Sequence, residues 1–154
     1  MRVRVLCCVI FSLAAACTGR TKPETAPAPS AQFLTPYGPT TRPFSPAVRV
    51  GNMLYLSGQI GTPSPTASTV VPGGIEAETK QTMENIKDVL ERTGSSMDRV
   101  VKCTVMLADM REWDRMNVVY ASYFPKNKPA RSAIGANGLA LGARVEIECW
   151  ATVG

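Results

Sequence analysis

The chain contains no histidine, so few residues could do chemistry, and the most suggestive sit in its last stretch, PARSAIGANGLALGARVEIECWATVG. That stretch carries Arg131 and, on what reads as a strand, Glu146 and Glu148. A guanidinium stays charged at any working pH and meets a carboxylate through two parallel N–H donors. A strand carboxylate can hold a water or carry one proton. The pair could recognise a small acid with modest proton handling, but by residue type alone the favoured reading is a surface salt bridge for Arg131 and a solvated strand acid for Glu146. There is no CxxC pair and no cluster of acids, so no metal site is expected. No cofactor is expected either.

Hydrophobic periodicity indicates the elements that must position these groups. AVRVGNMLYLSG reads as a β-hairpin, with Val48–Val50 and Met53–Ser57 joined by Gly51-Asn52. Residues 61–71, rich in proline and hydroxyl side chains, read as a loop. From Gly74 to Thr93, Ile75, Thr79, Met83, Ile86, Val89 and Leu90 recur at helical spacing, and Gly94 follows as a stop. Arg99–Leu107 alternates as a strand. Asp109 and Glu112 stand at capping-box spacing before a second helix, about 110–124, which should bury Trp113, Met116, Tyr120 and Phe124 before Pro125. Strands over about 130–136 and 143–153 complete the order β β α β α β β. This order implies an α+β two-layer sandwich, a mixed β-sheet with two helices on one face. On the last strand, Val145, Ile147, Cys149, Ala151 and Val153 form an apolar face for the helices. Glu146, Glu148, Trp150 and Thr152 face away, a pattern that suits a sheet surface covered by another subunit.

With 154 residues, 45% of them hydrophobic, the chain supports one ordinary core. Its formal charge of +5 includes Arg2 and Arg4; without residues 1–16, 15 basic side chains face 12 acidic ones. That excess is small and scattered, and the cluster Lys126-Asn127-Lys128 is no basic stripe, so nucleic acid is not an expected partner. The start, MRVRVLCCVIFSLAAACTGR, has the order of an export signal, with basic residues, an apolar run and small residues before a cysteine. Leu13–Cys17 resembles a bacterial lipobox. Residues 1–17 are thus expected to be a lipoprotein-type signal ending at a lipidated Cys17, with an ordinary cleaved signal or an uncleaved anchor as alternatives. Residues 18–42, rich in proline and alanine, then read as a tether and 43–154 as the folded domain. The implied protein is exported and lipid-anchored to a bacterial membrane on the periplasmic or cell-envelope side. Cys103 and Cys149 lie within strand-like runs and read as two buried thiols, with a disulfide as the alternative.

Six separated motifs, GNMLYLSGQIG, GGIEAETKQTMENIKDVLERTG, VVKCTVMLADM, MNVVYASYF, PARSAIG and VEIECWA, occur in the order and spacing of the RidA/YjgF family. The resemblance spans about Pro43–Val153. It implies the family's chorismate-mutase-like fold, a homotrimer with clefts between subunits, and hydrolysis of reactive 2-imino or enamine acids to 2-keto acids and ammonia. By the same resemblance, Arg131 pairs with the substrate carboxylate and Glu146 holds or activates water. Ser57, Gly58 and Gln59 form a loop beside the substrate, and Phe44 and Asn117 lie near the cleft. An imine is already electrophilic, so water addition to it needs orientation more than a strong nucleophile. The family's GPYSQ segment reads Arg42-Pro43-Phe44-Ser45-Pro46 here, which removes a phenol and a glutamine. Ala133 stands where active deaminases often have cysteine, and GLALGA lacks the usual proline. These departures bear on substrate and activity rather than on fold. The alternative function is a noncatalytic module that binds small carboxylates; an endoribonuclease ranks last.

Overall fold

The computed structural model describes residues 28–154. The signal, the lipidation at Cys17 and residues 18–27 of the tether lie outside those residues. Nine elements follow in order: β1 (Ala31–Leu34), β2 (Ala47–Val50), β3 (Met53–Leu56), β4 (Gln59–Ile60), α1 (Gly74–Arg92), β5 (Val100–Leu107), α2 (Trp113–Ser122), β6 (Ala130–Gly135) and β7 (Val145–Thr152). The strands form one 7-stranded sheet in the order β1-β2-β3-β7-β5-β6, with β4 also paired to β7. Only β5 and β6 run parallel; the other pairs are antiparallel. Both helices cover one face, as the periodicity implies.

The core lies between that face and the helices. Ile75, Met83, Ile86, Val89 and Leu90 of α1 are fully buried against Val145, Ile147, Cys149 and Ala151 of β7 and Val105 and Leu107 of β5. An unbroken apolar face is what a central strand requires, and β7 is central, with β5 on one side and β3 and β4 on the other. The β2–β3 turn uses Gly51 at φ 60°, the left-handed conformation that a tight hairpin turn demands.

Three expectations change. The segment assigned to the tether includes β1, whose Ala31–Leu34 pairs antiparallel with all of β2. Backbone hydrogen bonding to an available sheet edge orders these residues, although they bury little side-chain surface. The second helix is shorter than the sequence suggests. Asp109 accepts a hydrogen bond from the Arg111 N–H and supports a 3₁₀ turn over Met110–Glu112, and α2 begins at Trp113. Glu112 does not complete a capping box; it pairs with Arg144. Finally, Cys103 and Cys149 form a disulfide rather than two thiols. They are directly opposed on β5 and β7, with Cα atoms 4.1 Å apart. Cross-strand register, which the sequence does not display, brings them together.

Candidate active site

The proposed site residues fall into two groups, separated by the sheet. On β6, Arg131 is the register neighbour of Cys103 and Ala133 that of Val105. Arg131 therefore projects toward the helix layer, on the same face as the core. There it donates a hydrogen bond from Nη1 to the Asn117 side-chain oxygen on α2. Its guanidinium carbon also lies 4.7 Å from the Tyr120 ring centroid and 5.6 Å from that of Trp113. Asn117, Tyr120 and Arg131 line an open cavity of about 380 Å³, with Phe124 and Pro129 as apolar wall and Lys128 at hand. No acidic residue lines it. The spacing 113, 117, 120 places all three α2 contacts on one helical face. That pattern was visible in the sequence, but Trp113 and Tyr120 read there only as core residues.

Glu146 belongs to the other group. Its β7 neighbours Val145 and Ile147 are buried beneath the helices, so the Glu146 side chain lies on the opposite sheet face. Gly58 packs against it: a Cβ on Gly58 would fall 2.0 Å from Glu146 Oε1. Glycine here leaves the space that the Glu146 carboxylate occupies and is not needed for an unusual backbone angle. Ser57 donates from Oγ to the Ser45 carbonyl at 2.7 Å, and Gln59 donates from Nε2 to the Ser57 carbonyl at 3.1 Å. The Ser57 bond, with the Ser57 N–H donating to the Pro46 carbonyl, ties the loop to the segment after Phe44, and the Gln59 bond braces the loop internally. Phe44 is 46% exposed. Phe44 and Gln59 line a larger cavity of about 690 Å³ between two proline-rich loops and the polar side of α1. That cavity holds neither Arg131 nor Glu146, so its size does not make it the reactive centre. Within one chain, Arg131 and Asn117 meet, Glu146 meets Gly58, and the two groups do not meet each other.

Electrostatics distinguishes the two groups. Burial, reinforced by the neighbouring Glu148 carboxylate, raises the pKa of Glu146 above the ordinary carboxylate value. It is therefore a better proton acceptor than an exposed glutamate. Burial also pushes the Tyr120 phenol up to about 12, against the opposing effect of Arg131, and keeps it protonated. Arg92, Arg111, Arg115 and Arg144 all make ion pairs with carboxylates. Arg131 makes no such pair among the described residues. Its remaining N–H groups are free for an anion.

The outer sheet face is rich in apolar side chains. Tyr55 and Trp150 are cross-strand neighbours with ring centroids 5.2 Å apart. Phe33, in register with Val48 and hence on the same side, is 72% exposed, and Trp150 is 40% exposed. Among the described residues there is no cluster of His, Cys, Asp or Glu able to hold a metal ion, and no helix is long and apolar enough to cross a membrane.

The fold and this cavity define a class: a small two-layer α+β domain that presents an unpaired arginine in an open pocket at the sheet edge. The family model described as Endoribonuclease L-PSP matches residues 37–153. The chain belongs to that family, which is the RidA/YjgF family anticipated from the motifs. It is 42% identical over 112 residues to a 2-iminobutanoate/2-iminopropanoate deaminase of Mus musculus, covering 73% of this chain and 82% of the relative. It is 39% identical over 111 residues to Reactive Intermediate Deaminase A, chloroplastic, of Arabidopsis thaliana, covering 72% of this chain and 59% of the relative. The structure of the YjgF gene product from E. coli superposes with a TM-score of 0.69 at 30% identity, covering 78% of this chain and 96% of that one.

These matches overturn the localisation inferred from the amino terminus. Two of the relatives are named as deaminases, one of them chloroplastic, and neither name describes an exported, lipid-anchored envelope protein. The signal-peptide, lipoprotein and membrane-anchor readings, Cys17 lipidation included, therefore do not stand. A basic start before an apolar run is a compositional pattern read by targeting receptors, and it lies outside the described residues.

Proposed function

We propose that this protein hydrolyses reactive 2-imino acids, and the enamines in equilibrium with them, to 2-keto acids and ammonia. We further propose that it does so as a homotrimer, with Arg131 of one copy facing Glu146 of the next. The observation that carries the reading is the separation of these residues onto opposite sheet faces. A site using both needs two chains, and the apolar outer face with Phe33, Tyr55 and Trp150 offers a surface for the second.

In this site, two Arg131 N–H groups hold the substrate carboxylate, and Asn117 fixes the guanidinium. The Ser57–Gln59 loop borders the substrate, with Gly58 leaving room for Glu146. The Glu146 carboxylate takes a proton from water as the water oxygen bonds to the imine carbon. It returns that proton to nitrogen, which gives a carbinolamine; the carboxylate then takes the carbinolamine hydroxyl proton and passes it to the same nitrogen as the carbon–nitrogen bond breaks, releasing ammonia and leaving the keto acid. Water is the only co-reactant. Phe44, which provides no phenol, lends weight to the second reading, a module that binds small carboxylates without turning them over.

A mixing experiment tests the arrangement. Imine is generated in situ by an amino-acid oxidase and keto-acid formation is followed. Arg131→Ala and Glu146→Gln should each be inactive. Unfolded and refolded together in equal amounts, they should recover roughly a quarter of wild-type activity, because that fraction of random inter-chain sites contains both native residues. No recovery, with both variants folded and trimeric, rules out the shared site. An inactive wild type that still binds 2-keto acids through Arg131 establishes the second reading.

A further inference from the structure

We infer that Trp113 and Tyr120 are positioning residues for Arg131, holding the guanidinium by its faces so that its in-plane donors remain available to the substrate carboxylate. This inference rests on the deaminase reading and adds two residues to it.

An arginine that must bind an anion faces a conflict. Left unrestrained, it loses rotamer entropy on every binding event. Restrained by a carboxylate, it has its fork occupied and its charge compensated before the substrate arrives. Arg92, Arg111, Arg115 and Arg144, each paired with a carboxylate, illustrate the second case. Arg131 is restrained differently. Two aromatic rings lie within cation–π range of its guanidinium, at 4.7 and 5.6 Å. Rings attract the cation through their faces and accept no hydrogen bond in the guanidinium plane. Asn117 takes one N–H and is neutral, so four of the five donors and the full charge remain.

The rings are themselves held. Tyr120 is only 6% exposed and packs on Phe124 with centroids 5.0 Å apart, and Trp113 packs against the core. The Tyr120 phenol oxygen is buried and makes no hydrogen bond among the described residues. Its contact with Arg131 is through the ring. The cavity carries no acid that would compete for the fork.

Steady-state kinetics on 2-iminobutanoate, with circular dichroism and oligomer size checked for each full-length variant, tests this. Trp113→Leu and Tyr120→Leu should raise KM about three- to thirty-fold with kcat changed less than about threefold, since each removes a cation–π contact used in binding. Trp113→Phe and Tyr120→Phe, which keep a ring, should hold KM within about twofold of wild type. Asn117→Asp, similar in shape but carrying a carboxylate to the fork, should raise KM at least about tenfold while leaving the fold intact. This last variant decides the matter if the leucine variants fail to fold. Folded leucine variants with wild-type KM overturn the inference, as does Tyr120→Phe behaving like Tyr120→Leu or Asn117→Asp leaving KM unchanged. Full activity of Arg131→Ala would instead overturn the deaminase reading itself, so the two failures are distinguishable.

Discussion

Replacing Gly58 with alanine tests the role of Glu146 without touching its carboxylate. The added methyl would lie 2.0 Å from Oε1, 2.9 Å from Cδ and 3.1 Å from Cγ of Glu146. Ordinary contacts begin at about 3.4 Å, so the carboxylate must retreat by about 1.4 Å. The obstructed atoms are the end of a flexible side chain and Gly58 does not adopt a positive φ, so the side chain can give way without backbone strain. The fold should survive, with a thermal midpoint within a few degrees of wild type. Catalysis should not, because displacing a catalytic group by about 1 Å can cost roughly a hundredfold in rate, about 2.7 kcal/mol of barrier. The coupled oxidase assay should therefore show kcat lowered by about two orders of magnitude. KM should change less than kcat, because the Arg131 that holds the substrate carboxylate comes from the neighbouring copy in the proposed site and the added methyl meets only Glu146. A folded Gly58→Ala protein with wild-type kcat would refute the reasoning and remove Glu146 from the chemistry.

Glu148→Gln removes the charge that helps raise the Glu146 pKa. Because the carboxylate form is the active base, the acid limb of the kcat/KM profile should move to lower pH, which a pH–rate series will read directly. A carboxyl whose folded pKa is raised contributes stability below its unfolded value and loses it as pH rises through the folded one. Glu146→Gln should therefore raise the thermal midpoint at neutral pH while abolishing turnover, as calorimetry beside the assay can establish. The disulfide closes a loop of 46 residues. Replacing both Cys103 and Cys149 with alanine should lower the unfolding free energy by roughly 2 to 5 kcal/mol in urea titration. Phe44→Tyr should raise kcat/KM about two- to tenfold if the missing phenol orients substrate or water, the range expected of one neutral hydrogen bond; the coupled assay measures it.

What the sequence by itself determined follows from periodicity and local chemistry. The 3.6-residue repeat of Ile75, Met83, Ile86 and Leu90 requires an amphipathic helix, and the observed α1 spans Gly74–Arg92. The two-residue repeat of Val145, Ile147, Cys149 and Ala151 requires a strand buried on one face, and β7 is that strand. The motifs PARS and VEIE indicated the family, and with it Arg131 and Glu146 as candidates, because those residues are adjacent to their own signatures in the chain. The amino terminus shows the limit of composition: the same basic and apolar pattern supported an export signal that the relatives contradict.

Only the tertiary structure decided which residues meet across the chain. The order β1-β2-β3-β7-β5-β6 puts the last strand in the middle and β6 at an edge, a topology that sequence order does not reveal. That placement opposes Cys103 to Cys149, 46 residues away, and sets Arg131 over the α2 face that carries Trp113, Asn117 and Tyr120. It also puts Arg131 and Glu146 on opposite sides of one sheet. Periodicity is a property of neighbouring residues, while register and strand order depend on packing the whole core at once. The candidate residues could therefore be read from motifs and residue types, but that Arg131 and Glu146 cannot meet within one chain emerged only once the strands were placed.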